Sequence, residues 1–236
     1  MRISVIIPTL NEASTIEHTV TRIRSFGPHE TIVVDAGSSD GTADLSRRVS
    51  DQTLLEDRGL AQQLNAGAEA SSGEVLLFAH ADTQLPVGSF GAIEAALSDS
   101  EVIAGAFRLG FDSDRWPYRL IAVGANLRNR LGFGPFGDQG LFVLRERFFE
   151  AGQYHSGVYL EDFELVRRLQ RLGLFTVVPL QVRTSVRRWE QKGVFRTLLM
   201  HWVMSAAYLL GRRRRHAILD RWMAHLRSVR RSGSSD

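Results

Sequence analysis

The 236-residue chain has no cysteine, and Lys192 is its sole lysine. Without cysteine there is neither a structural disulfide nor a thiolate metal site, which is compatible with a cytoplasmic protein without establishing one. The cations are almost all arginine, whose fork geometry suits diphosphate and carboxylate in a way lysine does not. A compositional bias of the source explains that enrichment at least as well. Net charge is only +3. No apolar run reaches the ~18 residues of a membrane span, and the stretch before Pro8 is too short for a secretory leader. Neither a Walker A loop nor an H-E-x-x-H pair occurs. With 44% hydrophobic and 23% charged residues the chain reads as globular, and it is long enough for a sizeable core.

What is present is a repeated move, in which an apolar strand runs into polar residues. Ile3-Ser4-Val5-Ile6-Ile7 leads to Pro8-Thr9-Leu10-Asn11-Glu12. Thr31-Ile32-Val33-Val34 leads to Asp35-Ala36-Gly37-Ser38-Ser39-Asp40-Gly41-Thr42, and Val75-Leu76-Leu77-Phe78 to Ala79-His80-Ala81-Asp82-Thr83. Helical spacing predicts helices over 12–26, from Ser39 or Asp40 to 49, and over 60–70, with a weak strand at 53–55. Strands alternating with helices argue a parallel sheet with right-handed crossovers. Its ligand crevice would lie along the carboxyl edge.

The second half is less regular. It reads as a strand at 103–109, a helix at 116–131, a glycine-rich loop at 132–140, a short strand at 141–144, an amphipathic helix at 160–172, and short strands at 175–178 and 181–186. From Val194 two helices are expected, the first rich in Leu198, Leu199, Trp202, Val203, Ala206, Leu209 and Leu210, ended by Gly211 and followed by Arg212-Arg213-Arg214-Arg215, the second over about 217–230. A frayed tail covers 232–236.

Each candidate group has a plain alternative. Asp35 could accept hydrogen bonds from a ribose or nucleobase, or serve as a loop or cap residue. In an extended segment His80 and Asp82 project from one side and could face one cation, yet a lone Asp82 could equally cap a helix. Glu161-Asp162 opens a helix, where the dipole alone favours acids; the functional alternative is a general base. Arg187-Arg188-Trp189 could meet a diphosphate and stack on a sugar. Arg58 could reach phosphate or lie in solvent. Gly132-Phe133-Gly134-Pro135-Phe136-Gly137 matches G-x-G-x-x-G in letters only, since it follows a helix and contains a proline.

Taken jointly, Pro8-Thr9-Leu10-Asn11-Glu12, Val33 to Thr42, Ala81-Asp82-Thr83 and Glu161-Asp162 resemble family 2 glycosyltransferases of the GT-A fold. The likeness is firm over about 1–165 and looser to about 195. Arg58 to Gly67 and Thr184 to Trp189 look like a compact bacterial subgroup, some of whose members are linked to arsenosugar biosynthesis, a label not carried over here. The resemblance implies an α/β, open mixed sheet flanked by helices. It divides the chain into a GT-A domain (1–193), a helical C-terminal extension (194–231) and a tail (232–236).

By the same resemblance, Thr9, Glu12 and Asp35 would hold the nucleoside of a nucleotide-diphosphate sugar, a UDP-sugar being favoured. Pro8, Asn11, Gly37, Arg58, Asn65, Ala81 and Asp82 would complete the donor site. Asp82 would match the last acid of the D-x-D motif and bind Mn²⁺ or Mg²⁺, with His80 beside it where many relatives have aspartate. Imidazole suits Mn²⁺ better than Mg²⁺. Asp162 would be the base, with Glu161 adjacent. Asp138, Gln139, Arg188 and Trp189 would serve the acceptor and diphosphate. Ser185 stands where processive members have glutamine, which argues against polymer synthesis. The implied reaction is inverting, metal-dependent transfer to an acceptor hydroxyl. A non-catalytic nucleotide-sugar-binding protein and a sugar nucleotidyltransferase are the rivals.

The acceptor would be a small molecule or a lipid. The arginine-ended helix in 194–231 could lie on the inner face of an anionic membrane as a peripheral contact, or pack against the domain or a homodimer partner. No nucleic-acid partner is expected.

Overall fold

The computed structural model describes residues 1–130, 134–135, 137–157, 161–187 and 190. Arg188, Trp189, part of the glycine-rich loop and the whole of 194–236 lie outside the described residues. Met1–Ser185 form one compact unit, and the description below concerns that unit.

The elements run β1 (Ile3–Thr9), α1 (Ile16–Arg24), β2 (Glu30–Asp35), α2 (Thr42–Val49), β3 (Gln52–Leu55), α3 (Leu60–Ala70), β4 (Val75–Phe78), β5 (Thr83–Gln84), α4 (Ser89–Leu97), β6 (Val102–Phe111), α5 (Trp116–Arg130), a 3-10 turn (Gly137–Gln139), β7 (Leu141–Leu144), α6 (Arg145–Glu150), α7 (Glu161–Leu169) and β8 (Leu174–Thr184). The strands form one eight-stranded sheet in the order β3-β2-β1-β4-β7-β6-β8-β5. β1, β2 and β4 are buried along their whole length, because helices cover both faces. Val5 and Ile7 pack with Ile16, Val20 and Ile23 of α1. Ile6 points the other way, among Ala61 and Leu64 of α3 and Leu165 of α7. Each such buried aliphatic side chain contributes about 1.5–3 kcal/mol.

The first half is parallel, as the alternation predicts: β1 pairs in parallel with both β2 and β4, and β2 with β3. The sheet as a whole is mixed, because β7 runs antiparallel to β4 and β6, and β5 runs antiparallel to β8. β7 therefore starts at the edge where β1, β2 and β4 end, and it carries the residues just before Leu141 to that edge.

The sheet also has to curl. β5 follows β4 after only four residues, yet lies four places away in the strand order. A flat sheet would separate them by roughly 19 Å. Five Cα steps reach at most about 18 Å, and these steps include a turn closed by Thr83 N–H donating to the His80 carbonyl at 3.0 Å. The His80–Asp82 connector thus bridges the mouth of a curved sheet.

Several boundaries differ from the pattern-based reading. α1 starts at Ile16 rather than residue 12, because Asn11 sits in the left-handed region at φ 56 and Glu12 begins a separate turn. The two short strands expected at 175–178 and 181–186 are one strand, β8. Its register against β6 slips between Val177 and Gln181, a bulge that takes up Pro179. Helices α4 and α6 carry no strong start signal in the sequence.

Candidate active site

The loop after β2 is organised by Asp35, which is fully buried. Its carboxylate accepts from Thr9 Oγ1 at 3.1 Å, Ser38 Oγ at 2.5 Å, and the backbone N–H groups of Gly37 and Ser38 at 3.1 and 2.8 Å. Four donors use the carboxylate's four lone-pair sites. Gly37 has φ 76, a conformation that suits glycine. Asn11 belongs to the same unit: its side-chain oxygen accepts the Ser39 N–H at 3.0 Å, and its own N–H donates to Ser38 Oγ at 2.8 Å. Buried Glu12 donates its N–H to Thr42 Oγ1 at 2.8 Å, and its carboxylate accepts from Thr15 Oγ1 at 3.1 Å. Gln63 of α3 clamps the ends of β1 and β2, donating to the carbonyls of Thr9 and Val34 at 2.9 and 2.7 Å. In this arrangement Asp35 shapes the loop, and its side chain is already engaged by protein.

The structure revises the His80–Asp82 geometry. β4 stops at Phe78, and residues 80–83 form a turn, so the two side chains do not share one face of an extended strand. Ala81 is buried, with its carbonyl accepting from Thr19 Oγ1 at 2.7 Å. Asp82 and His80 are partly exposed at the sheet mouth. Among the described residues no three His, Asp or Glu side chains group as a self-sufficient metal cage. Arg58 is exposed beyond β3, at the same edge. Asn65 is committed elsewhere: its amide donates to the Tyr154 carbonyl at 2.8 Å, and its side-chain oxygen accepts the Tyr154 N–H at 3.0 Å.

A second acid cluster lies where β7 begins. Asp162, in the first turn of α7, accepts a hydrogen bond from the Gly137 N–H. The contact is close: a Cβ on Gly137 would lie 2.6–2.7 Å from the Asp162 carboxyl atoms. Burial, reinforced by neighbouring Glu161, pushes Asp162 up to about 6, against the weaker opposing pull of that N–H. Burial likewise raises Glu161. Asp138 is pushed up to about 6, first by burial and then by the charges of Asp162 and Asp82, with the Arg128 guanidinium pulling the other way. Asp138 Oδ1 is buried without a hydrogen-bond partner. Asn129 of α5 donates to Gln139 Oε1 at 2.5 Å, so α5 holds the 3-10 turn in place.

A small gap of about 10 Å³, room for about one water-sized group, opens beside Asp162, lined by Pro8, Leu64, Phe78, Ala79, His80, Gly137, Tyr154 and Asp162. The structure thus brings Pro8 and His80 together with Asp162, and sets Asp82 and Asp138 within electrostatic reach of one another. Asp35 and Asn65 also make hydrogen bonds within the protein, and Asn11 is exposed. Arg128, Gly137 and Tyr154 were not singled out from sequence. Arg128 has no distinguishing pattern on its helix, and Gly137 was visible only as part of a loop that failed the dinucleotide test.

Residues 4–152 match the family model described as Glycosyl transferase family 2. The chain belongs to glycosyl transferase family 2. Dolichol-phosphate mannosyltransferase of Pyrococcus furiosus is 29% identical over 168 residues, 64% of this chain and 48% of its own length. A PGL/p-HBAD biosynthesis glycosyltransferase of Mycobacterium bovis is 26% identical over 253 positions, covering 86% of this chain and 96% of its own. The chain therefore spans about half the length of the Pyrococcus furiosus relative. Among solved structures, a mannosyltransferase from Pyrobaculum calidifontis in complex with GDP-Man and Mn²⁺ superposes with a TM-score of 0.64 at 23% identity, covering 87% of this chain and 61% of that one. Glucosyl-3-phosphoglycerate synthase of Mycobacterium tuberculosis, with Mn²⁺, UDP and glucosyl-3-phosphoglycerate, gives 0.63 at 21%, covering 89% and 78%. At these identities the likeness is one of fold, and the family 2 chain has the GT-A architecture. No helix among the described residues is long and apolar enough to cross a membrane.

Proposed function

We propose that this family 2 chain is an inverting glycosyltransferase that moves a sugar from a nucleotide-diphosphate sugar to an acceptor hydroxyl. One observation carries the reading: Asp162 is held by the Gly137 N–H at the carboxyl edge of the sheet, beside a small gap, with its carboxyl pushed up to about 6. A general base works best with a pKa near the operating pH. Asp162 takes the acceptor proton as the acceptor oxygen bonds to the anomeric carbon. The bond from that carbon to the diphosphate oxygen breaks on the opposite side, and the diphosphate leaves.

A cation fits the donor set only in part. Asp82 and His80 give at most two side-chain ligands, so phosphate oxygens of the donor would complete the shell, which is how Mg²⁺ is commonly bound. When bound, the cation supplies charge neutralisation at the departing diphosphate. Mn²⁺ is favoured over Mg²⁺ by the imidazole. Arg188, outside the described residues, keeps the diphosphate role that its motif suggests. Asp35, Asn11 and Gly37 are assigned to shaping the nucleoside loop. Solved structures of similar fold are in complex with GDP-Man, UDP-GlcNAc or UDP-Glc, and UDP-Glc and GDP-Man are donors to try, the UDP-sugar first. Membership of the compact bacterial subgroup stands as a proposal and names no acceptor.

The test is a thermal-shift titration with UDP-Glc and with GDP-Man, each with and without Mn²⁺, followed by nucleoside-diphosphate release by wild type and Asp162→Asn. Donor stabilises the fold by mass action in both proteins, and only wild type turns over. Near-normal release by Asp162→Asn would sink the base assignment.

A further inference from the structure

Among the described residues Tyr154 carries the one aromatic hydroxyl lining the gap beside Asp162. The residue is 3% exposed, and its hydroxyl is buried without a hydrogen-bond partner. Leaving such a group unmade costs about 1–3 kcal/mol, so a purely structural site would be better filled by phenylalanine. The ring is nevertheless locked in place. It packs edge-on to Phe78 at 5.3 Å and tilted against Phe148 at 5.7 Å between centroids.

Its backbone is held from two helices. Asn65 of α3 grips both the N–H and the carbonyl of Tyr154. Arg168 of α7 donates to the carbonyls of Ala151 and Gln153, and it is itself tied to Glu164 at 2.9 Å. Burial and the negative charges of Asp162 and Glu161 keep the Tyr154 proton on, well above the ordinary tyrosine range. The hydroxyl is therefore a donor at neutral pH, not a base.

We infer that Tyr154 is an acceptor-binding residue: its O–H donates to the incoming acceptor oxygen, the same oxygen whose proton Asp162 accepts. This rests on the transferase reading above. Two contacts of opposite sense orient that oxygen, one giving a hydrogen and one taking it, with a lone pair left for the anomeric carbon. Proximity of this kind acts on the rate of the chemical step. The O–H itself does not transfer its proton. The reacting bonds are those already described, with the acceptor proton going to Asp162. The hydroxyl and the Asp162 carboxyl line one gap of about 10 Å³, which has room for a single oxygen between them.

Tyr154→Phe isolates the hydroxyl, because it keeps the ring that Phe78 and Phe148 hold. The full-length chain is used with Mn²⁺ and UDP-Glc or GDP-Man, water and glycerol serving as acceptors. Three quantities are read: the melting temperature of the free protein, the donor-induced shift, and steady-state nucleoside-diphosphate release. Tyr154→Phe should leave the melting temperature unchanged or higher, leave the donor shift and the donor KM unchanged, and lower kcat about tenfold or more. A structural role predicts the reverse, a lower melting temperature with little change in kcat. That outcome, or equal kcat in the two proteins, overturns the assignment of Tyr154 alone. Wild-type protein that neither binds nor splits either donor overturns the transferase reading, and this inference with it.

Discussion

Asp35 and Asp162 stand at the same edge of one sheet, and the fold treats them in opposite ways. Asp35 accepts hydrogen bonds from Thr9, Gly37 and Ser38 on both oxygens. Asp162 is desolvated, crowded by Glu161, and eased only weakly by the Gly137 N–H. Its neighbour Asp138 keeps a buried oxygen without a partner, and so does Tyr154. A carboxylate whose bonds are all made inside the protein organises a loop. Carboxylates left short of partners are unfavourable for the fold and available to a ligand. The base proposed for this chain therefore falls in the poorly satisfied cluster.

The largest effect that would break this contrast is at Asp162 itself. Asp162→Asn should lower turnover by at least about 10²–10⁴-fold while leaving the protein more stable at pH 7. Folding raises this carboxyl's pKa, so its acid form is the favoured one. The stabilisation from that proton is complete below the ordinary carboxylate range and is lost as pH rises through about 6. At neutral pH the ionised group weighs against the fold, and the neutral amide removes that penalty. A melting temperature that falls would show Asp162 to be a structural acid like Asp35.

Asp35→Ala should do the converse. It strands buried donors and should cost roughly 2–4 kcal/mol, read as a lower midpoint in urea with an unchanged slope. If stability holds and donor binding disappears, Asp35 is a direct ligand after all. Gly137→Ala comes next. Its methyl would collide with the Asp162 carboxyl, and turnover should drop about 10–100-fold with the fold retained, since misplacing a reacting group by an ångström is that costly. The smallest effect is the pH profile of wild type. Turnover should rise through about pH 6 and level off above it, falling about tenfold per unit well below. A profile flat down to pH 5 would contradict a raised base.

The first half of the fold was legible in the sequence because each strand and helix from Ile3 to Phe78 reports its own burial through its spacing. The polar tips at Thr9, Asp35 and Asp82 were legible for the same reason. What Asp35 does there was not, since its partners Thr9 and Ser38 are ordinary residues until the loop closes. The slip at Pro179 looked like a strand end because a proline removes a ladder donor whether it ends a strand or bulges it. The turn that carries His80 and Asp82 was not legible, because a turn and an extended segment read alike over three residues.

By itself, then, the chain determined which segments are buried, where each apolar strand runs into acids, and that Glu161-Asp162 opens a helix. Tertiary structure alone decided which acids meet. The antiparallel β7 carries Gly137 and Asp138 to the edge where Asp162 stands, α5 turns Arg128 toward them, and Asn65 aims Tyr154 into the gap. Periodicity encodes how a residue faces its own element. Whether two carboxyls share a pocket depends on strand order and on the curl of the sheet, which set the distances between groups far apart in sequence and hence their charge and reactivity.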